Sequence, residues 1–253
     1  MDEIGLSAGT VALMLLLLIL PVLFFLTSRA RAGKSGALRQ IPGLEDLPNS
    51  VGRSAETSQP LHVSVGVGGV GGLSTAETWT GLTLLTQLAD EAASCDTRLI
   101  VTVADPTVLP IAQDILRRAS IRHGNSAGYD PTQVRFIAPI PMAYAAGVTG
   151  ILEREPLTGS VMVGSFSDEY LLMGQTGAQR GVHQIVGATD PATLAQVYAS
   201  ADDTLIGEEI FATGAYTRKL PIQIGSLRAE DWGRWVVAAA IVVLTIWNIL
   251  TRA

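Results

Sequence analysis

A single cysteine, Cys95, stands in 253 residues. An intramolecular disulfide is therefore excluded, and the chain suits a reducing compartment. Histidine is almost as scarce: His62, His123 and His183 lie far apart, without the spacing of a zinc or iron site. Basic residues are outnumbered, with 17 Lys and Arg against 23 Asp and Glu and a formal net charge of −6. Nucleic acid, which calls for a basic face, is not an expected partner. No Walker loop, G-x-S-x-G elbow or Cys/His pair is present, so the usual signatures of phosphoryl and acyl transfer are missing. Charge is absent altogether from two stretches, 6–27 and 235–250, and these carry the most information.

A bilayer core about 30 Å thick needs roughly 20 helical residues to cross. Leu6 to Thr27 meets that length, and the second run reaches it once its interfacial flank is counted. Trp232, Trp235 and Trp247 bracket that second run as interfacial anchors do. Asp2 and Glu3 precede the first run, and Arg29, Arg31, Lys34 and Arg39 follow it. That charge order argues for an anchor over a cleaved signal peptide. Arg218, Lys219, Arg228 and Arg234 lie at the other junction, whereas the C-terminal tail holds only Arg252. Lys and Arg mark the cytoplasmic side. The expected organisation is an outer tail at 1–5, a span at 6–27, a basic Gly/Pro/Ser linker at 28–60, a soluble α/β domain at 61–227 and a second span at 228–251. Both termini then face out. Neither run contains an ionisable residue, so ion or proton transport by these helices alone is not expected.

Between the runs, strand and helix patterns alternate. Strands are expected at 61–65, 98–103, 134–138, 160–164, 184–186 and 204–206. Helices are expected at 74–94, 106–121, 142–154, 168–179, 191–199 and 208–216. Such alternation predicts a mostly parallel, Rossmann-like three-layer sheet with right-handed crossovers. Asp105-Pro106 and Asp190-Pro191 repeat one motif, an N-cap followed by proline at the first helical position. Asp130-Pro131 is a third copy, placed before a strand.

The glycine-rich loop is the strongest chemical candidate. Gly66, Gly68 and Gly71 satisfy G-x-G-x-x-G between a strand and a helix. In dinucleotide folds such glycines let a pyrophosphate approach the backbone and the helix N-terminus. Asp105, ending the next strand, occupies the place of a ribose-binding acid. Ser74 and Glu77 have the spacing of a capping box, so the same loop also reads as a packing turn. Ser165, Asp168 and Glu209 should gather at the same sheet edge. That edge is acidic and hydroxylic, without the cationic clamp that phosphoryl transfer requires. No metal site and no catalytic residue is assigned, and a nucleotide is the one cofactor the loop suggests.

The stretches 61–66 and 71–76 resemble a group of uncharacterised two-span bacterial membrane proteins, mostly from environmental and Chloroflexota-like genomes. So do 101–106, 135–139, 161–166 and 207–212. The resemblance implies the architecture and a bacterial cytoplasmic membrane, with no activity to transfer. A domain tethered at both ends has a fixed orientation, which favours lateral arrays. The leading expectation is a membrane-anchored scaffold that self-associates or joins a larger membrane complex, with the lipid bilayer and further copies as partners. The alternative is a tethered nucleotide- or anion-binding regulatory domain using Gly66, Gly68, Gly71, Ser74 and Asp105. An enzyme built on Ser165, Asp168 and Glu209 is a weaker third.

Overall fold

The computed structural model describes residues 41–124 and 129–218, with isolated helical positions at 13, 17, 20, 21, 24, 28, 233, 235 and 238. The chain divides into two compact units, Met1–Leu38 with Arg218–Ala253, and Arg39–Thr217. The expected outer tail at 1–5, most of the expected spans at 6–27 and 228–251, and the segment 219–227 lie outside the described residues. Among the described residues, no helix is long and apolar enough to cross a membrane.

The second unit is an α/β domain. Its six strands are β1 (Leu61–Gly66), β2 (Leu99–Val103), β3 (Val134–Phe136), β4 (Gly159–Ser165), β5 (His183–Ala188) and β6 (Asp203–Ile206). All pair in parallel, in the order β3-β2-β1-β4-β5-β6. β1 and β2 are buried along their whole length, as expected of strands covered on both faces. Chain order reverses between β1 and β4, which makes that boundary the topological switch point of a doubly wound sheet.

The helices are α1 (Pro42–Glu45), α2 (Leu47–Thr57), α3 (Thr75–Ser94), α4 (Val108–Arg122), α5 (Pro141–Arg154), α6 (Tyr170–Arg180), α7 (Pro191–Ser200) and α8 (Glu209–Arg218). α2, α3 and α4 pack together on one face, where Gly81 of α3 lets the helix approach Val65 and Val163. α5, α6 and α7 cover the other face over a core that includes Tyr144, Met162, Phe166, Tyr170 and Val186.

The expected linker at 28–60 is corrected from residue 41 onward. Ile41, Leu44, Leu47 and Val51 are all buried, and α1 and α2 belong to the domain. The last three are spaced i, i+3 and i+7, a helical stripe. Pro, Asn and Ser between them mask the pattern. Burial of Leu47 and Val51 stabilises the domain by about 1.5–3 kcal/mol each. Ser58, at φ 56° in the left-handed region, ends α2 and turns the chain toward β1.

Candidate functional site

Ligands of open α/β sheets bind beyond the carboxyl ends of the strands at the switch point. Here that place holds the loop from Gly66 to Ser74, the end of β2 and the end of β4. The structure brings Gly66, Gly68, Ser74, Asp105 and Ser165 together there, and each is held by protein atoms. Gly66 has φ +85°, and an added Cβ would lie 2.4 Å from the Ser165 carbonyl oxygen. The Val67 N–H donates to that same oxygen at 2.9 Å. The β1–β4 register shifts between Ser64 and Gly66, so the bend and the glycine are one feature.

Gly68 lies against the start of α3, where a Cβ would meet Thr78 Oγ1 at 2.6 Å and Ser74 Oγ at 2.7 Å. A Cβ on the neighbouring Gly69 would meet Asp105 Oδ2 at 2.3 Å. The Val70 N–H donates to Thr107 Oγ1 at 3.3 Å, and the Gly71 N–H to Thr75 Oγ1 at 2.9 Å. The loop is thus folded onto the end of β2, over the side of the sheet where a ribose would meet Asp105.

Asp105 is not the N-cap the sequence suggests. α4 begins at Val108, after Thr107. Asp105 Oδ1 instead accepts the Thr107 N–H at 2.7 Å and the Thr107 hydroxyl. The same device recurs in all three Asp-Pro motifs. Asp130 Oδ1 accepts from the Thr132 N–H at 2.9 Å and Asp190 Oδ1 from the Ala192 N–H at 3.3 Å. Proline offers no N–H, so the carboxylate takes the next one along. Only at Asp190 does a long helix start directly with that proline.

The capping box is also corrected. Ser74 precedes α3 but makes no side-chain cap bond. Glu77 Oε1 accepts instead from Thr189 Oγ1 at 2.5 Å, reaching the loop after β5. Asp168 is exposed, and its backbone carbonyl accepts the Leu171 N–H at 3.3 Å. Glu209 Oε2 accepts the Ile206 N–H at 3.0 Å across the turn into α8. Ser165, Asp168 and Glu209 lie at the end of β4, in the loop that follows it and at the start of α8. Glu169 beside them is buried, with Oε1 taking the Ser167 N–H at 2.9 Å.

A second polar feature lies inside the sheet. His62 Nδ1 is 2.7 Å from Ser160 Oγ and Nε2 is 3.0 Å from Thr102 Oγ1. The Tyr144 hydroxyl bonds Ser64 at 2.6 Å and Thr102 at 2.8 Å. All five residues are buried. Burial, with the positive charge of Arg135, holds His62 down to about 3, so it is neutral. Burial also pushes Tyr144 up to about 12. The His62–Ser160 distance suits a base and nucleophile, but no substrate reaches either group. The network pins β1, β2, β4 and α5 to one another. Polar residues alternating along an otherwise apolar strand were its signal in the sequence.

The loop edge of the sheet is also apolar. Leu73 at the tip of the glycine loop is fully exposed. Phe136 at the end of β3, Ile140 and Met142 at the start of α5, Ile206 at the end of β6 and Phe211 in α8 are exposed as well, Ile140 at 64% and Met142 at 59%. The acidic and hydroxylic residues expected at this edge are thus joined by apolar side chains that have no periodic signal in the loops.

Fold and site together define a doubly wound α/β domain with a self-packed glycine loop at its switch point. The family described as Domain of unknown function (DUF6754) matches residues 6–253, and the chain belongs to it. No curated protein and no solved structure matches the chain.

Proposed function

We propose that this chain is a membrane-anchored α/β scaffold that assembles with further copies of itself through the loop edge of its sheet. Exposed apolar side chains carry the reading: Leu73 follows β1, and Ile140 and Met142 follow β3, all on the loop edge of the sheet. The closed glycine loop supports it from the other side, because packing alone accounts for Gly66, Gly68 and Gly69. Two charge-free terminal runs support the anchors. The resemblance to two-span bacterial, Chloroflexota-like proteins supports a bacterial cytoplasmic membrane, and the Lys and Arg at 29–39 and 218–234 support the domain inside and both termini outside.

The test is the combined substitution Leu73→Asp and Met142→Asp in the full chain. Exposed positions tolerate such changes within about 0.5 kcal/mol. The particle extracted in mild detergent should lose mass while thermal stability holds. An unchanged particle mass would remove the rim from the assembly.

One observation favours a second reading. α3, a 20-residue helix, starts at the switch point without a side-chain cap, and a helix N-terminus attracts anions. A tethered nucleotide- or anion-binding regulator would use Gly66, Gly68, Gly71, Ser74 and Asp105, with Ser165 and Asp168 beside them. That reading requires the loop to open away from Asp105. Identification of a phosphorylated molecule released on denaturing the native particle would favour it.

A further inference from the structure

The opposite edge of the sheet holds a cluster of different chemistry. His183 opens β5, Asp203 opens β6 and Asp46 joins α1 to α2. Ile185 is the register partner of Asp203, so His183, two residues earlier, lies on the same face. His183 Nε2 is 3.6 Å from Asp203 Oδ2 and 3.7 Å from Asp46 Oδ2. The three ligand atoms all lie within 4.8 Å of one another.

These separations exceed the 2.7–3.2 Å of an N–H···O hydrogen bond. They sit close to the edge of a tetrahedral zinc sphere, about 3.3–3.4 Å for bonds of about 2.0–2.1 Å. His183 Nε2 is the ring nitrogen that faces both carboxylates, and Nδ1 is enclosed without a hydrogen-bond partner. Burial raises the Asp46 pKa, but hydrogen bonds from Arg53 and Asn49 outweigh it and hold the carboxyl below its usual range. Its Oδ2 also accepts from Arg53 Nη2 at 2.8 Å, and Arg53 Nη1 lies 3.4 Å from Oδ1. Oδ2 also accepts from Ser50 Oγ at 3.4 Å, so a metal would displace that weak hydroxyl contact, while the guanidinium opposes the incoming charge.

We propose that Asp46, His183 and Asp203 bind a divalent transition cation of the zinc class, with solvent in the fourth position. The cation would tie α1 and α2 to the β5–β6 edge. Three elements distant in sequence supply one ligand each, which suits a clamp.

The test uses the full chain in detergent, stripped with a chelator and titrated with Co²⁺ as a spectroscopic substitute for Zn²⁺. One equivalent should bind with the visible absorption of a tetrahedral site, and Zn²⁺ should displace it and raise Tm. Asp203→Asn and His183→Gln should each weaken binding by about tenfold or more and abolish the rise in Tm. Arg53→Gln relieves the repulsion and should tighten binding, an outcome that misfolding does not mimic. Absence of uptake, uptake unchanged by His183→Gln, or an Arg53→Gln variant that binds no tighter would overturn the assignment.

Discussion

Alanine at position 66 should damage the fold more than alanine at position 71, although both positions belong to the same motif. Gly66 has φ +85° and Gly71 φ +103°. A side chain in that region costs about 1–2 kcal/mol at either site. At Gly71 nothing lies within 4 Å of the added Cβ, so backbone strain is the whole effect. At Gly66 the Cβ would sit 2.4 Å from the oxygen and 2.7 Å from the nitrogen of Ser165. Those are backbone atoms of β4 and cannot rotate aside. Overpacking of this kind adds about 1–3 kcal/mol. The total is about 2–5 kcal/mol for Gly66→Ala against about 1–2 for Gly71→Ala. Each kcal/mol moves Tm by about 2–4 °C in a domain of this size, so Gly66→Ala should lower Tm by about 4–20 °C. Far-UV circular dichroism of the full chain in detergent reads both variants. Equal losses, or a neutral Gly66→Ala, would refute the packing account and return the glycines to a ligand.

The buried histidine makes stability depend on pH. Folded His62 titrates at about 3 against its ordinary 6.5, so between those values the unfolded chain binds the extra proton. Its contribution is fully present above pH 6.5 and falls by about 1.4 kcal/mol per pH unit below it. Urea midpoints across that window should track this slope, and His62→Gln should flatten it; a parallel slope in the variant would assign the loss elsewhere. Leu47→Ala should cost about 2–5 kcal/mol, because Leu47 is fully buried in the segment that reads as linker. A change within about 0.5 kcal/mol would mean that α2 contributes nothing to the domain.

The alternation of strands and helices was legible because β1, β2 and β4 are short apolar runs, buried nearly throughout, between amphipathic helices. The strand order was not, since periodicity says nothing about which edge a crossover returns to. β3 ends at Phe136 rather than at the expected Ala138; Pro139 follows, and its only partner in the sheet is β2. The gathering of Gly66, Asp105 and Ser165 followed from the rule that strand ends share an edge. What the loop does there was not legible, because Gly69 against Asp105 and Gly66 against Ser165 are tertiary contacts. Glu77 fitted a local cap, and a distant threonine claimed it. The scattered histidines hid the meeting of His183 with Asp46 and Asp203 for the same reason: spacing along a chain reports neither loop closure nor strand register.

Assembly is the central claim, and the mass of the native particle tests it most directly. The wild-type chain, extracted in several mild detergents and weighed intact, should give one defined oligomer, and denaturing it should release no nucleotide. A homogeneous monomer in every detergent would contradict the scaffold account, and a monomer that releases a nucleotide would replace it with the regulatory reading at the switch point.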